Sequence, residues 1–262
     1  MKSNYIGLWL LLAGALAIFL VFSFVESSPV IGAWEPKKAP FRETLLAVAP
    51  EQPDTVPAVS AEELAEALSV DNPTDTTAQS IFLFGDSMTL NLAHRLAAYA
   101  RQNGHEFHAV NWDSSNTKIW AESDTLAYYL DKYQPTQVFI ALGSNELYLP
   151  KPEKRLPCIL RIVDMIGNIP YVWIGPPSLK VDGGLNDVLA NNLPQGSFFL
   201  SSGLELARKK DKIHPTRDAS ALWIDSVMRW LPRSSHPFLA EVPADSVAKG
   251  NPHTVLLKAL NK

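Results

Sequence analysis

From about residue 80 onward, short apolar runs alternate with stretches of helical period. Ile81–Phe84 reads as a strand and Leu90–Gln102 as a helix, followed by a strand at Glu106–Asn111 and a helix at Ser123–Tyr133. "TQVFIALG" (136–143) is a continuous apolar strand, Arg155–Ile166 a helix, "PYVWIG" (170–175) another strand and Phe198–Leu200 a short one. Ala219–Leu231 closes the series as a helix with Trp223 and Trp230 on its apolar side. Apolar strands separated by helices predict parallel strands covered on both faces. The expected fold class is therefore α/β, a three-layer α/β/α sandwich with a mostly parallel central sheet, over residues 80–232.

The flanks break this rhythm. Ile6 to Val25, "IGLWLLLAGALAIFLVFSFV", runs without a charge for the length that spans a hydrocarbon core. Lys2 precedes it and Glu26 follows, so residues 1–26 are expected to form a transmembrane signal anchor with a cytoplasmic N-terminus and an exported remainder. A cleaved signal peptide is the competing reading, with Val25-Glu26-Ser27 as a loose cleavage match. Residues 27–79 are rich in Pro, Ala, Glu, Ser and Thr and read as a spacer. Within it, Ser60 followed by Glu63 is a capping-box signature for a short helix. Residues 233–262 gain prolines, lose periodicity and read as a tail over the domain, and no internal repeat is visible.

Composition narrows the function classes. The 262 residues are 47% hydrophobic and 19% charged, enough for one good-sized core. A net charge of -4 gives no reason to expect nucleic acid, and no basic run is read as a polyanion groove. The lone Cys158 cannot form an internal disulfide, no Cys/His cluster has zinc spacing, and nothing calls for a cofactor or metal.

In open α/β sheets, ligands bind beyond the carboxyl ends of the strands, so the polar residues there are the candidates. They are Gly85-Asp86-Ser87, then Asp113-Ser114-Ser115, then Gly143-Ser144-Asn145-Glu146, and Ser178; Asp211 and His214 of "DKIHP" precede the last helix. A serine hydroxyl needs a base on its proton, and a histidine base needs a group to fix its tautomer. Asp211 and His214, three apart, share a face in a helical turn. An oxyanion needs fixed donors, each worth about 2.7–4 kcal/mol. The Asn145 amide and the N–H groups of Ser87 and Ser115 are the candidates, and Ser87 at a helix N-terminus adds that helix's partial positive charge. The bland alternatives are Ser87 as a helix cap, Asp211 and His214 as a surface pair, and Asn145 as a turn residue. His94, His105, His108, His236 and His253 read as structural or exposed. Trp112, Trp120 and Tyr148 lie near the rim as core residues or as platforms for a sugar ring, and "VDGGLND" (181–187) reads as a loop bordering the site.

"FGDS", "GSNE" and "DKIHP", in this order and spacing, resemble the motif blocks of the SGNH (GDSL-type) hydrolase family. The resemblance covers residues 80 to 231. It implies a flavodoxin-like α/β/α fold, with Ser87 as nucleophile, Asp211 and His214 completing a triad, and Asn145 as an oxyanion donor. The block after the second strand departs from the family, offering Ser115 where a glycine is usual, and Glu146 replaces the commoner aspartate. The implied activity is that of a membrane-anchored serine esterase or O-acyltransferase, acting on an envelope or extracellular polysaccharide in the periplasm or outside the cell. Such domains sometimes work with a membrane-bound O-acyltransferase partner. A non-catalytic carbohydrate-binding or scaffolding subunit of a polysaccharide synthesis complex is the alternative, and a lipase or thioesterase for long acyl chains a third reading.

Overall fold

The computed structural model describes residues 72–178, 183–244 and 252–260. Six strands form one sheet: β1 (Ser80–Gly85), β2 (Glu106–Trp112), β3 (Gln137–Ala141), β4 (Tyr171–Ile174), β5 (Phe198–Phe199) and β6 (Thr254–Leu257). Their order is β5-β4-β3-β1-β2-β6, and every pairing is parallel. The chain leaves β1 for β2 on one side, then returns to β3 on the other. Successive connections thus diverge at the β1/β3 seam, the place where an open α/β sheet forms a crevice.

Period-two alternation within the strands feeds two cores. Ile81 and Leu83 face α1 (Thr89–Gln102) and α6 (Arg217–Trp230), where Leu92, Leu96, Trp223 and Val227 are buried. Phe82 and Phe84 face the opposite cluster, which contains Trp120 of α2 (Thr117–Glu122), Leu126 of α3 (Thr125–Tyr133), Ile159 and Ile162 of α4 (Leu156–Ile166) and Leu189 of α5 (Leu185–Asn192). Each such side chain fully removed from water contributes about 1.5–3 kcal/mol. The α1–α6 contact is also pinned by polar bonds. Asp225 accepts Arg95 Nε at 2.7 Å and the Tyr99 hydroxyl at 2.9 Å.

Three expectations are corrected. The helix expected at Ser123–Tyr133 is α3, starting two residues later, and α2 precedes it where no helix was expected. Ser123 is extended (φ -107, ψ 158) and separates them, while the Asn116 side chain caps α2 by accepting Ile119 N–H. The segment expected as a loop at 181–187 gives way to α5 at Leu185, and residues 179–182 lie outside the described residues. The expected tail supplies β6, which pairs along β2 from Ala109↔Thr254 to Trp112↔Leu257. Three apolar residues, Val255, Leu256 and Leu257, between Pro252 and Lys258 carry too little period to announce a strand; the exposed backbone groups of the β2 edge recruit them.

The expected anchor (1–26), the Ser60–Glu63 cap and the spacer up to residue 71 lie outside the described residues. Among those described, no helix is long and apolar enough to cross a membrane. Residues 72–79 strap the amino-terminal edge of the sheet: Asn72 Nδ2 donates to Ser235 O (2.9 Å), and Asp75 N–H donates to Pro237 O (2.8 Å).

Candidate active site

The turn after β1 is built by glycine and a buried carboxylate. Gly85 pairs with Asn111 on one side and Ala141 on the other, and a Cβ on it would stand 1.9 Å from Ala141 O. Only glycine permits that approach. Asp86, fully buried, accepts Met88 N–H and Ser144 N–H, both at 3.0 Å. Burial pushes its carboxyl up to about 6, against the pull of those backbone donors. Asn111 Oδ1 caps the start of α1 by accepting Leu90 N–H at 3.2 Å. Helix capping is thereby done by Asp86 and Asn111, and the Ser87 hydroxyl is left for another partner.

That partner is His214. Its Nε2 lies 2.9 Å from Ser87 Oγ, and its Nδ1 lies 2.9 Å from Asp211 Oδ2. The other carboxylate oxygen, Oδ1, accepts the N–H groups of Ile213 (2.9 Å) and His214 (3.0 Å). The His214 side chain and these two backbone donors hold the Asp211 carboxyl down at about 2. A carboxylate on Nδ1 favours the tautomer with its proton there, which leaves Nε2 to accept the serine proton. The expected helical turn is not what joins the pair. Lys212 adopts a left-handed φ of 59°, and the turn closes through Lys212 N–H to Lys209 O at 2.9 Å. An aspartate-nucleated turn presents both groups to one point instead.

The loop carrying His214 is held from two sides. Ala207 O accepts Thr216 N–H and His214 O accepts Lys209 N–H, each at 2.8 Å, so the chain pairs on itself around the turn. From α1, Asn91 reaches across, its Nδ2 donating to Pro215 O and its Oδ1 accepting Lys209 Nζ, both at 3.4 Å. Asn91 lies in the first turn of α1, directly after the turn that carries Ser87, so the helix next to the hydroxyl also steadies the His214 loop.

Asn145 lies on the same rim, with its side-chain Nδ2 donating to Ser115 O at 2.8 Å and a second amide hydrogen remaining. Ser115 does not fill its expected role. Its N–H donates to Trp112 O at 3.1 Å, closing the turn after β2, so it is already engaged. Its buried hydroxyl accepts Trp120 Nε1 at 2.9 Å. The left-handed residue of this turn is Ser114 (φ 57), one position earlier than the aligned glycine site. Ser115 therefore orients Asn145 through its carbonyl. By contrast, the Ser87 N–H makes no hydrogen bond among the described residues.

Glu146 fixes Asn145 from behind. It is 1% exposed and accepts Thr117 N–H and Thr117 Oγ1 at 2.8 Å each and Arg155 Nε at 2.7 Å. Trp112 and Trp120 are buried in the core, which removes them as sugar platforms, while Tyr148 is exposed. The positioning roles of Asp86, Asn91 and the Glu146–Arg155 pair escaped the sequence reading. Adjacency to Ser87 and Asn145 was the signal for two of them, but burial and long-range partners are not written in local pattern.

No protein-family model matches the chain, and no curated protein does either. Chemically, the arrangement is a hydroxyl beside one imidazole nitrogen and a carboxylate beside the other. It is suited to attack on a carbonyl, the imidazolium that forms being stabilised by Asp211.

Proposed function

We propose that the chain is an SGNH-type serine esterase or O-acyltransferase that forms an acyl-serine at Ser87. The single observation that carries this reading is the unbroken series Ser87 Oγ to His214 Nε2 and His214 Nδ1 to Asp211 Oδ2, 2.9 Å at each step. In the proposed reaction Ser87 Oγ bonds to the ester carbonyl carbon as its proton passes to His214 Nε2. The oxyanion is met by the remaining Asn145 amide hydrogen and the Ser87 N–H, with the α1 N-terminus adding a favourable field. Collapse breaks the bond to the leaving oxygen, which takes the proton back from His214. Water or an acceptor hydroxyl then repeats the sequence in reverse, so hydrolysis and transfer share one machinery.

The substrate class in this proposal is an acylated glycan, with acetyl the simplest acyl group. The charge-free run from residue 6 to 25 supports action at a membrane surface outside the cytoplasm, where a membrane-bound O-acyltransferase partner would supply acyl groups. Ser87→Ala tests the chemistry: turnover of a small acetyl ester should fall to background while the thermal transition stays in place. Retention of most activity would overturn it.

The engaged Ser115 N–H favours a second reading, a non-catalytic carbohydrate-binding subunit, because it removes one expected oxyanion donor. Covalent labelling of Ser87 by a fluorophosphonate separates the two, since only an activated hydroxyl reacts.

A further inference from the structure

A groove of about 640 Å³ opens on the same rim, lined by Ser178 after β4, Ser202 and Gly203 after β5, and the strap Leu204–Arg208. It is continuous with the catalytic loop. Ala207 O accepts Thr216 N–H, and Arg208 Nη1 donates to Ile213 O at 2.7 Å, beside His214. A Cβ on Gly203 would meet nothing within 4 Å, so the groove is open at that end.

The groove itself carries one cation, Arg208, and one carboxylate, Glu205, but the loop that continues from it is basic, which the sequence reading did not single out. Between residues 208 and 217 stand Arg208, Lys209, Lys210, Lys212 and Arg217 against a single carboxylate, Asp211, in a protein of net charge -4. Asp211 is already committed to His214. Lys209, Lys210 and Lys212 are exposed, and Glu205, the one carboxylate on the lining, is exposed too. Arg208 carries a second anomaly: its Nε is buried and has no hydrogen-bond partner. A guanidinium donor shut away from water without an acceptor is unfavourable, and an anion in the groove that pairs with the rest of the Arg208 guanidinium would offset that cost by charge.

We infer that this groove is an anion subsite, in which Arg208 recognises a carboxylate or phosphate on the glycan while Lys209, Lys210 and Lys212 attract it. The inference rests on the acyl-transfer reading for its place beside the scissile bond, but the binding itself does not depend on turnover. A planar guanidinium matches either anion with paired bonds. The lysines raise the local concentration of a polyanion in a salt-dependent way. A neutral glycan would offer the Arg208 guanidinium and the neighbouring lysines no charge to pair with, so preference between charged and neutral sugars is the property this groove confers.

Isothermal titration of the full chain in detergent with an oligouronate, a phosphorylated oligoglucan and a neutral oligoglucan of equal length tests this. The expected result is that at least one anionic ligand binds about tenfold or more tightly than the neutral one. Which anion wins distinguishes carboxylate from phosphate. Arg208→Ala should erase most of that ratio, Arg208→Lys should retain part of it, and Glu205→Gln should widen it. If Arg208→Ala does not fold, wild-type preference should still shrink between 0.05 and 0.5 M salt, on the order expected for screening. Equal binding of charged and neutral ligands, or a preference untouched by both salt and Arg208→Lys, would overturn the inference. Anion preference in a protein that never turns over an ester would sink the esterase reading and leave the groove standing; ester turnover without anion preference would do the opposite.

Discussion

Asp86 accepts the Ser144 N–H at 3.0 Å, and so one buried carboxylate ties the loop of Ser87 to the loop of Asn145. Its second oxygen holds Met88 N–H at 3.0 Å and sets the first turn of α1. Asp86→Asn places an amide hydrogen against one of these donors, so kcat on a small ester should fall about tenfold or more, with KM little changed. The pH dependence of stability has a definite sign. Burial raises the Asp86 carboxyl from 3.8 to about 6, so the folded chain holds this proton more tightly than the unfolded one. Stability from this group is full below about 4 and is lost as pH rises through 6, by about 3 kcal/mol at most. Denaturant midpoints of wild type minus Asp86→Asn should decline across that window.

Asp211→Asn should reduce kcat by about a hundredfold or more, since the histidine loses the acceptor on Nδ1 and its preferred tautomer. The Asp211 side chain is 44% exposed, so solvent screening places the loss toward the lower end of that range. The carboxyl is depressed from 3.8 to about 2, so its stabilisation is present above 3.8 and lost as pH falls through 2. An acid titration of Tm should therefore fall more steeply for wild type than for Asp211→Asn.

Asn145→Ala removes the proposed oxyanion donor together with a bond to Ser115 O. Its kcat should drop about 10²–10³-fold with KM nearly unchanged. Steady-state kinetics on a soluble ester read both quantities, and a rise in KM alone would assign Asn145 to ground-state binding.

Glu146→Ala strands the Arg155 guanidinium and both Thr117 donors. Removing one partner of a buried network should lower stability by about 3 kcal/mol and Tm by about 6–12 °C. Arg155 is 24% exposed, so Arg155→Met should be the milder change.

The strands that carry Ser87 and Asn145 were legible in sequence because buried parallel strands are continuous apolar runs bounded by polar turns. Ser87, Asn145, Asp211 and His214 were legible because each follows a strand or precedes a helix at that rim. What failed has a physical pattern. The helical turn for Asp211–His214 gave way to an aspartate-nucleated turn with a left-handed Lys212, which spacing alone does not distinguish. The Ser115 N–H was assigned by alignment with a glycine, yet a four-residue turn closing on Trp112 O claims it. β6 was missed because its register is dictated by the edge of β2, 145 residues earlier at Ala109↔Thr254. It matters to the rim: Asp113 N–H donates to Leu257 O at 3.0 Å and Trp112 Nε1 to Lys258 O at 2.9 Å.

The most direct test of the proposed nucleophile is intact-mass analysis after exposure to a fluorophosphonate. The account predicts one adduct per chain, mapped to Ser87, formed slowly or not at all in His214→Ala. An unmodified chain, or an adduct on another residue while Ser87 stays free, would contradict it.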